Sequence, residues 1–140
     1  MNGLLTSMMA LEETKALLSG AQNRRRPRLT GVSSVHRAMV CAAMHVHSGQ
    51  TLLVLCSDEK EVHRCAADLR AMTGGEVIEL QSRHWQFRPA AAVSHQWEHR
   101  RLRALCRMAE GEAPIVVTTV EAAVQRCIPP RMLKAATLSL

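Results

Sequence analysis

Aromatic residues are nearly absent: Trp85, Phe87 and Trp97 are the whole set, and tyrosine is missing. A groove that stacks single-stranded nucleic acid needs several aromatic faces in succession, so this scarcity argues against such a platform. No stretch approaches the ~20 consecutive apolar residues of a membrane span. The first ten residues carry no basic segment ahead of their apolar ones, which argues against a signal peptide. A cytoplasmic protein is therefore expected. The five cysteines, Cys41, Cys56, Cys65, Cys106 and Cys127, contain no Cys-x-x-Cys pair, and their odd number leaves one outside any disulfide scheme. They are expected to serve as small core residues in a reducing compartment. Internal repeats and low-complexity segments are missing as well.

What is present fits one folded domain. The chain has 140 residues, of which 47% are hydrophobic, enough for a single core and short for two. Its formal charge of +6 favours an acidic or nucleic-acid partner. The excess is clustered, in Arg24, Arg25, Arg26 and Arg28 and again in Arg100, Arg101, Arg103 and Arg107. The second cluster is a candidate contact for DNA phosphates or an acidic protein surface, with a solvated helix face as the alternative.

Periodicity divides the chain into alternating elements. Residues 4–18 read as an amphipathic helix ended by Gly20, and 21–27 as a basic linker marked by Pro27. A short strand is expected over 28–32. A helix capped by Ser33 or Ser34 follows, with Val35, Ala38, Met39, Ala42 and Val46 inward and Gly49 at its end. The apolar run 51–56 (TLLVLC) suits a parallel strand buried on both faces. Asp58, with Glu61 three residues on, reads as a capping box for a helix through Val62, Cys65, Ala66, Leu69 and Met72. Gly74 and Gly75 stop it before a strand over 76–80. After a loose stretch, 81–93, a helix starting at Ser94 should bury Leu102, Leu105, Cys106 and Ala109. A strand over 115–118 leads to a second capping box, Thr118 with Glu121, and a short helix closed by Pro129 and Pro130. Residues 137–140 read as a strand opening a further, truncated domain. Strands alternating with helices predict an α/β fold with three layers, a mostly parallel sheet between flanking helices. The domain itself is placed at 28–136, after the N-terminal helix in 1–20.

In such a fold a phosphate loop would sit at the first strand-to-helix turn. That chemistry needs glycine for close backbone approach, a lysine for the β and γ oxygens, and a hydroxyl for Mg²⁺. Here the turn is Thr30, Gly31, Val32, Ser33, Ser34 and Val35. Gly31 is present, but Gly-Lys-Ser/Thr is not, and Arg37 falls three residues beyond the expected lysine. The turn reads as a degenerate phosphate loop that does not hydrolyse ATP. The strand-plus-acid pattern around Asp58 and Glu59 is likewise better used as a helix start than as a Mg²⁺ ligand.

The stretch after Ser94 has a distinctive order. It fits S-x-x-W-E-x-x-R-L-x-A-L through Ser94, Trp97, Glu98, Arg101 and Leu102, then Gly111-Glu112-Ala113 and the strand Ile115-Val116-Val117-Thr118-Thr119. Val120-Glu121-Ala122-Ala123-Val124-Gln125-Arg126 and Ile128-Pro129-Pro130 follow. With the degenerate turn, this resembles the N-terminal region of bacterial transcription-repair coupling factors over about residues 28–140. Their first domains resemble the first domain of the excision-repair subunit UvrB, a P-loop NTPase-like fold. Ser34 stands about where UvrB keeps its lysine, and Val35 where it keeps its threonine. The resemblance implies a parent protein that is an ATP- and Mg²⁺-dependent DNA translocase, displaces stalled RNA polymerase and recruits UvrA. It implies no cofactor and no catalysis in these residues, which would support and pack on other domains of the same chain.

Two other chemistries share these residues. His95, Glu98 and His99 match His-x-x-Glu-His, which on a helix could hold Zn²⁺ with Glu98 as general base. A third ligand is needed, and Glu110, Glu112 and Glu121 have no supporting motif. An active nucleotide-binding protein is the remaining alternative, against which the missing lysine speaks.

Overall fold

The computed structural model describes residues 3–23, 25–82 and 96–136. It is an α/β fold whose sheet has three parallel strands in the order β1-β3-β2. These are β1 (Leu52–Cys56), β2 (Val77–Leu80) and β3 (Ile115–Thr119). The central strand, Ile-Val-Val-Thr-Thr, is buried along its whole length, as an inner parallel strand must be.

Register decides what each face carries. One face presents Leu52, Ile115 and Val77 in one row and Val54, Val117 and Glu79 in the next. Two helices, α3 (Ser34–Ser48) and α4 (Glu59–Thr73), cover it through Ala38, Ala42, Val62, Ala66 and Leu69. On the other face the rows are Leu53, Val116 and Ile78, then Leu55, Thr118 and Leu80. There α5 (Gln96–Glu110) packs Ala104, Leu105 and Met108 over Ile78, Leu80 and Val116. It leaves β1 open, so Leu53 and Leu55 are 54% and 52% exposed. The three layers expected from the sequence are therefore present.

Local chemistry sets the helix ends. Gly49 and Gly74 close α3 and α4 at φ +64° each, the left-handed turn for which glycine is suited. At the start of α4, the Asp58 carboxylate accepts from the Glu61 amide at 2.8 Å. Glu61 does not return the bond to Asp58 but accepts from the Ser57 amide at 2.9 Å and the Ser57 hydroxyl at 2.7 Å. The box is thus displaced by one residue.

Several expected elements differ. The strand expected over 28–32 does not form; these residues are without regular structure and mostly exposed. Two helices, α1 (Gly3–Met9) and α2 (Glu12–Gln22), replace the single N-terminal one, and Gly20 lies inside the second. Leu5 of α1 belongs to the core beneath α3 and α4. Val35 and Val46, expected inward, are exposed, while Val40 and Ala43 are buried. The hydroxyl that caps α6 (Val120–Val124) is Thr119, accepting from the Ala122 amide at 3.1 Å. Thr118 is still sheet, and its hydroxyl donates to the Leu80 carbonyl at 2.7 Å. Pro130 does not close α6 but opens a further helix, α7 (Pro130–Ala136), the first-turn position that proline suits. Cys56 is buried, but Cys127 is exposed and all five cysteines are free, so a core role does not hold for every thiol. The expected strand at 137–140 and most of the stretch 81–93 lie outside the described residues. No helix among the described residues is long and apolar enough to cross a membrane.

Candidate functional site

The turn expected to be a degenerate phosphate loop enters α3 from an irregular segment rather than from a strand. Gly31 has φ +72°, and Ser33 follows in an extended conformation as the N-cap of α3. The Ser33 hydroxyl accepts from the His36 amide at 3.4 Å and lies 2.9 Å from His36 Nδ1. A hydroxyl engaged with its own helix is not held for Mg²⁺. Thr30, Gly31, Ser33 and Val35 are exposed, and Val32 and Ser34 are half-buried. Arg37, one turn into α3, is paired with Glu61 at 2.8 Å. The turn holds no lysine where the β and γ oxygens of a nucleotide triphosphate would lie, and its capping hydroxyl and Arg37 are already engaged, so these residues do not fit a nucleotide triphosphate with Mg²⁺.

A cavity of about 230 Å³ lies between α3 and α4 beside the end of β1 and receives Arg37, Glu61, Cys41, Cys56 and Cys65. Burial, reinforced by Cys65 and then Glu61, pushes the Cys56 thiol up to about 12. Burial also raises Cys41 and Cys65. Thiols held protonated in this way are poor nucleophiles and poor metal ligands. Glu61 shifts oppositely: the Ser57 amide and hydroxyl lower it below the usual carboxylate range, with Arg37 adding to the effect. A carboxylate depressed in the folded state stabilises above its unfolded pKa and loses that contribution as pH falls through the folded one. Glu61→Ala is therefore expected to lose about 1 kcal/mol of stability at pH 7, the scale of a lost helix cap. The difference from the wild type should close progressively below about pH 4.5. Denaturant unfolding at pH 7 and pH 3 measures both.

The second basic cluster is split by the fold. Arg101 is 9% exposed and turns inward. Its guanidinium donates to the Gln81 carbonyl at 2.6 Å, to the Ala122 carbonyl at 3.2 Å and to Cys127 Sγ at 3.4 Å. It thereby joins α5 to the end of β2, to α6 and to the segment beyond, and is withdrawn from any surface contact. With Arg101 inward, α5 buries Ala104 and packs Leu105 and Met108, while Leu102, expected inward, is 40% exposed.

Arg100, Arg103 and Arg107 instead line an open cleft of about 460 Å³ beside β2, with His63, Glu76, Glu79 and Gln81. Its acids are already engaged. Arg107 pairs with Glu76 and lies 3.6 Å from Glu112. Glu79 meets His63 at 2.5 Å and Arg70 at 2.7 Å. Arg100 and Arg103 are exposed and have no ion-pair partner among the described residues. Sequence reasoning missed both the inward turn of Arg101 and the contribution of α4 to this cleft. The first had one signal, an arginine inside the otherwise apolar spacing 101, 104, 105, 108.

The zinc motif cannot be assembled from the described residues, because His95 lies outside them. Glu98 and His99 are exposed on the first turn of α5. Among the described residues no group of three histidine, cysteine or acidic side chains could hold a metal ion. Comparison with protein-family models, with curated proteins and with solved structures gives no match.

Proposed function

We propose that this chain is a non-catalytic module of a transcription-repair coupling factor, with a P-loop-type, UvrB-like scaffold and a degenerate phosphate loop. ATP, Mg²⁺, DNA translocation, displacement of RNA polymerase and recruitment of UvrA belong in this reading to the whole cytoplasmic parent protein. The observation that carries it is Arg101. The two halves of the resemblance to that family, around Trp97-Glu98 and around Val120–Arg126, are tied together by this one guanidinium. This tie between the described residues of the resemblance supports a scaffolding role. The uncovered apolar half of the sheet at Leu53 and Leu55 suits packing against other domains of the same protein.

The test is the strand bias of excision repair after ultraviolet damage. Disrupting the gene should slow repair of the transcribed strand to the rate of the other strand. An undiminished bias would remove the reading.

A further inference from the structure

The cleft beside β2 has features that a patch of solvated arginines does not need. β2 is an edge strand, paired only with β3 among the described residues. Its Val77 carbonyl faces away from β3 and accepts from Arg70 Nη2 at 2.8 Å. Alternation along a strand turns the N–H and C=O of Glu79 outward too, away from its register partner Val117, and no backbone hydrogen bond meets them there among the described residues. Beyond the strand, Gln81 also lines the cleft; it is 5% exposed, and its Oε1 is a buried acceptor with no partner among the described residues. Arg100, Arg103 and Arg107 recur at i, i+3 and i+7, one stripe of α5 about 10 Å long. Four residues of β2 extend about 13 Å, so the two walls match in length.

We propose that the β2 edge and the arginine stripe of α5 form a docking cleft for an extended acidic peptide segment of a partner protein, added as a further strand. Strand addition uses main-chain hydrogen bonds for affinity and side chains for selectivity. The peptide backbone would pair with Glu79, while its carboxylates meet Arg100 and Arg103. A phosphate backbone has no N–H to pair with the outward Glu79 carbonyl. Residues 83–95, which follow β2, contain Arg83, Arg88, His84 and His95 and no acid, so their charge does not complement the stripe. The proposal does not depend on the repair reading.

The test is fluorescence anisotropy of a labelled peptide alternating glutamate and valine over nine residues, titrated with the full chain. Saturable binding is expected, weakened about tenfold or more by Arg100→Ala with Arg103→Ala, and weakened again when alternate peptide amides are methylated. Both arginines are exposed, so the double variant should keep the wild-type melting temperature, and circular dichroism checks this. Absence of binding, or equal binding by the double variant, would overturn the proposal. So would displacement of the peptide by a duplex oligonucleotide at equal concentration, which would make the cleft a phosphate site. Binding that appears only after Trp85→Ser with Phe87→Ser would make the chain's own segment the occupant, and would overturn it too.

Discussion

Arg101→Ala is expected to destabilise the fold by about 3 kcal/mol, the largest effect of any single change on α5. The truncation removes three donated bonds and leaves the Gln81 and Ala122 carbonyls facing a void. Each buried acceptor left without a donor carries a penalty of roughly 1–3 kcal/mol, and the lost aliphatic stem adds to it. Arg101→Lys keeps the charge but offers one compact donor head in place of a planar fork, and should recover less than half of the loss. Arg103→Ala, two residues on and exposed, should change stability by less than about 0.5 kcal/mol. Urea unfolding of the three variants separates these outcomes. Equal midpoints for Arg101→Ala and Arg103→Ala would mean that the guanidinium does not hold α5, α6 and the end of β2 together.

The second large effect is at Leu69 on α4. This side chain is fully buried in the core between α4 and the sheet. Leu69→Ala should destabilise by about 3 kcal/mol, combining lost transfer energy with a cavity that close packing cannot fill. Leu53→Ala removes the same atoms from β1, where the residue is 54% exposed, and should stay within about 1 kcal/mol of the wild type. The contrast tests the covering of the sheet directly: full on the side of α3 and α4, partial on the side of α5.

What the sequence disclosed follows from which signals are local. The runs that became β1, β2 and β3 are apolar and bounded by turn residues, and each forms within a residue of its expected place. The caps of α4 were legible because Asp58 and Gly74 act within a single turn of chain. The segment 28–32 failed because a strand exists only where another strand pairs with it, and periodicity contains no information about pairing. The shift from Thr118 to Thr119 has a similar origin. Both are threonines three or two residues before Glu121, and only the pairing of β3 with β2 shows that Thr118 is committed to Leu80.

The inward face of α5 turned on a residue type. Leu102, Leu105, Cys106 and Ala109 form an apolar stripe, so the sequence favoured them over a stripe containing Arg101. The fold selects the stripe with Arg101 because the carbonyls of Gln81 and Ala122 converge where its guanidinium can reach them. The cleft was invisible for the same reason. Its floor is an edge strand and its walls come from helices more than 30 residues apart, at His63 and at Arg100. At the turn before α3 the missing lysine was readable, because it is a matter of residue identity, whereas the strand expected to lead into the turn does not form.

That missing lysine bears on the central claim, that the scaffold does no nucleotide chemistry of its own. Calorimetric titration of the chain with MgATP tests it most directly. Arg37 held by Glu61 and Ser33 held by α3 predict no saturable heat up to millimolar nucleotide. Saturable binding in the micromolar range, lost on Gly31→Val, would contradict the account.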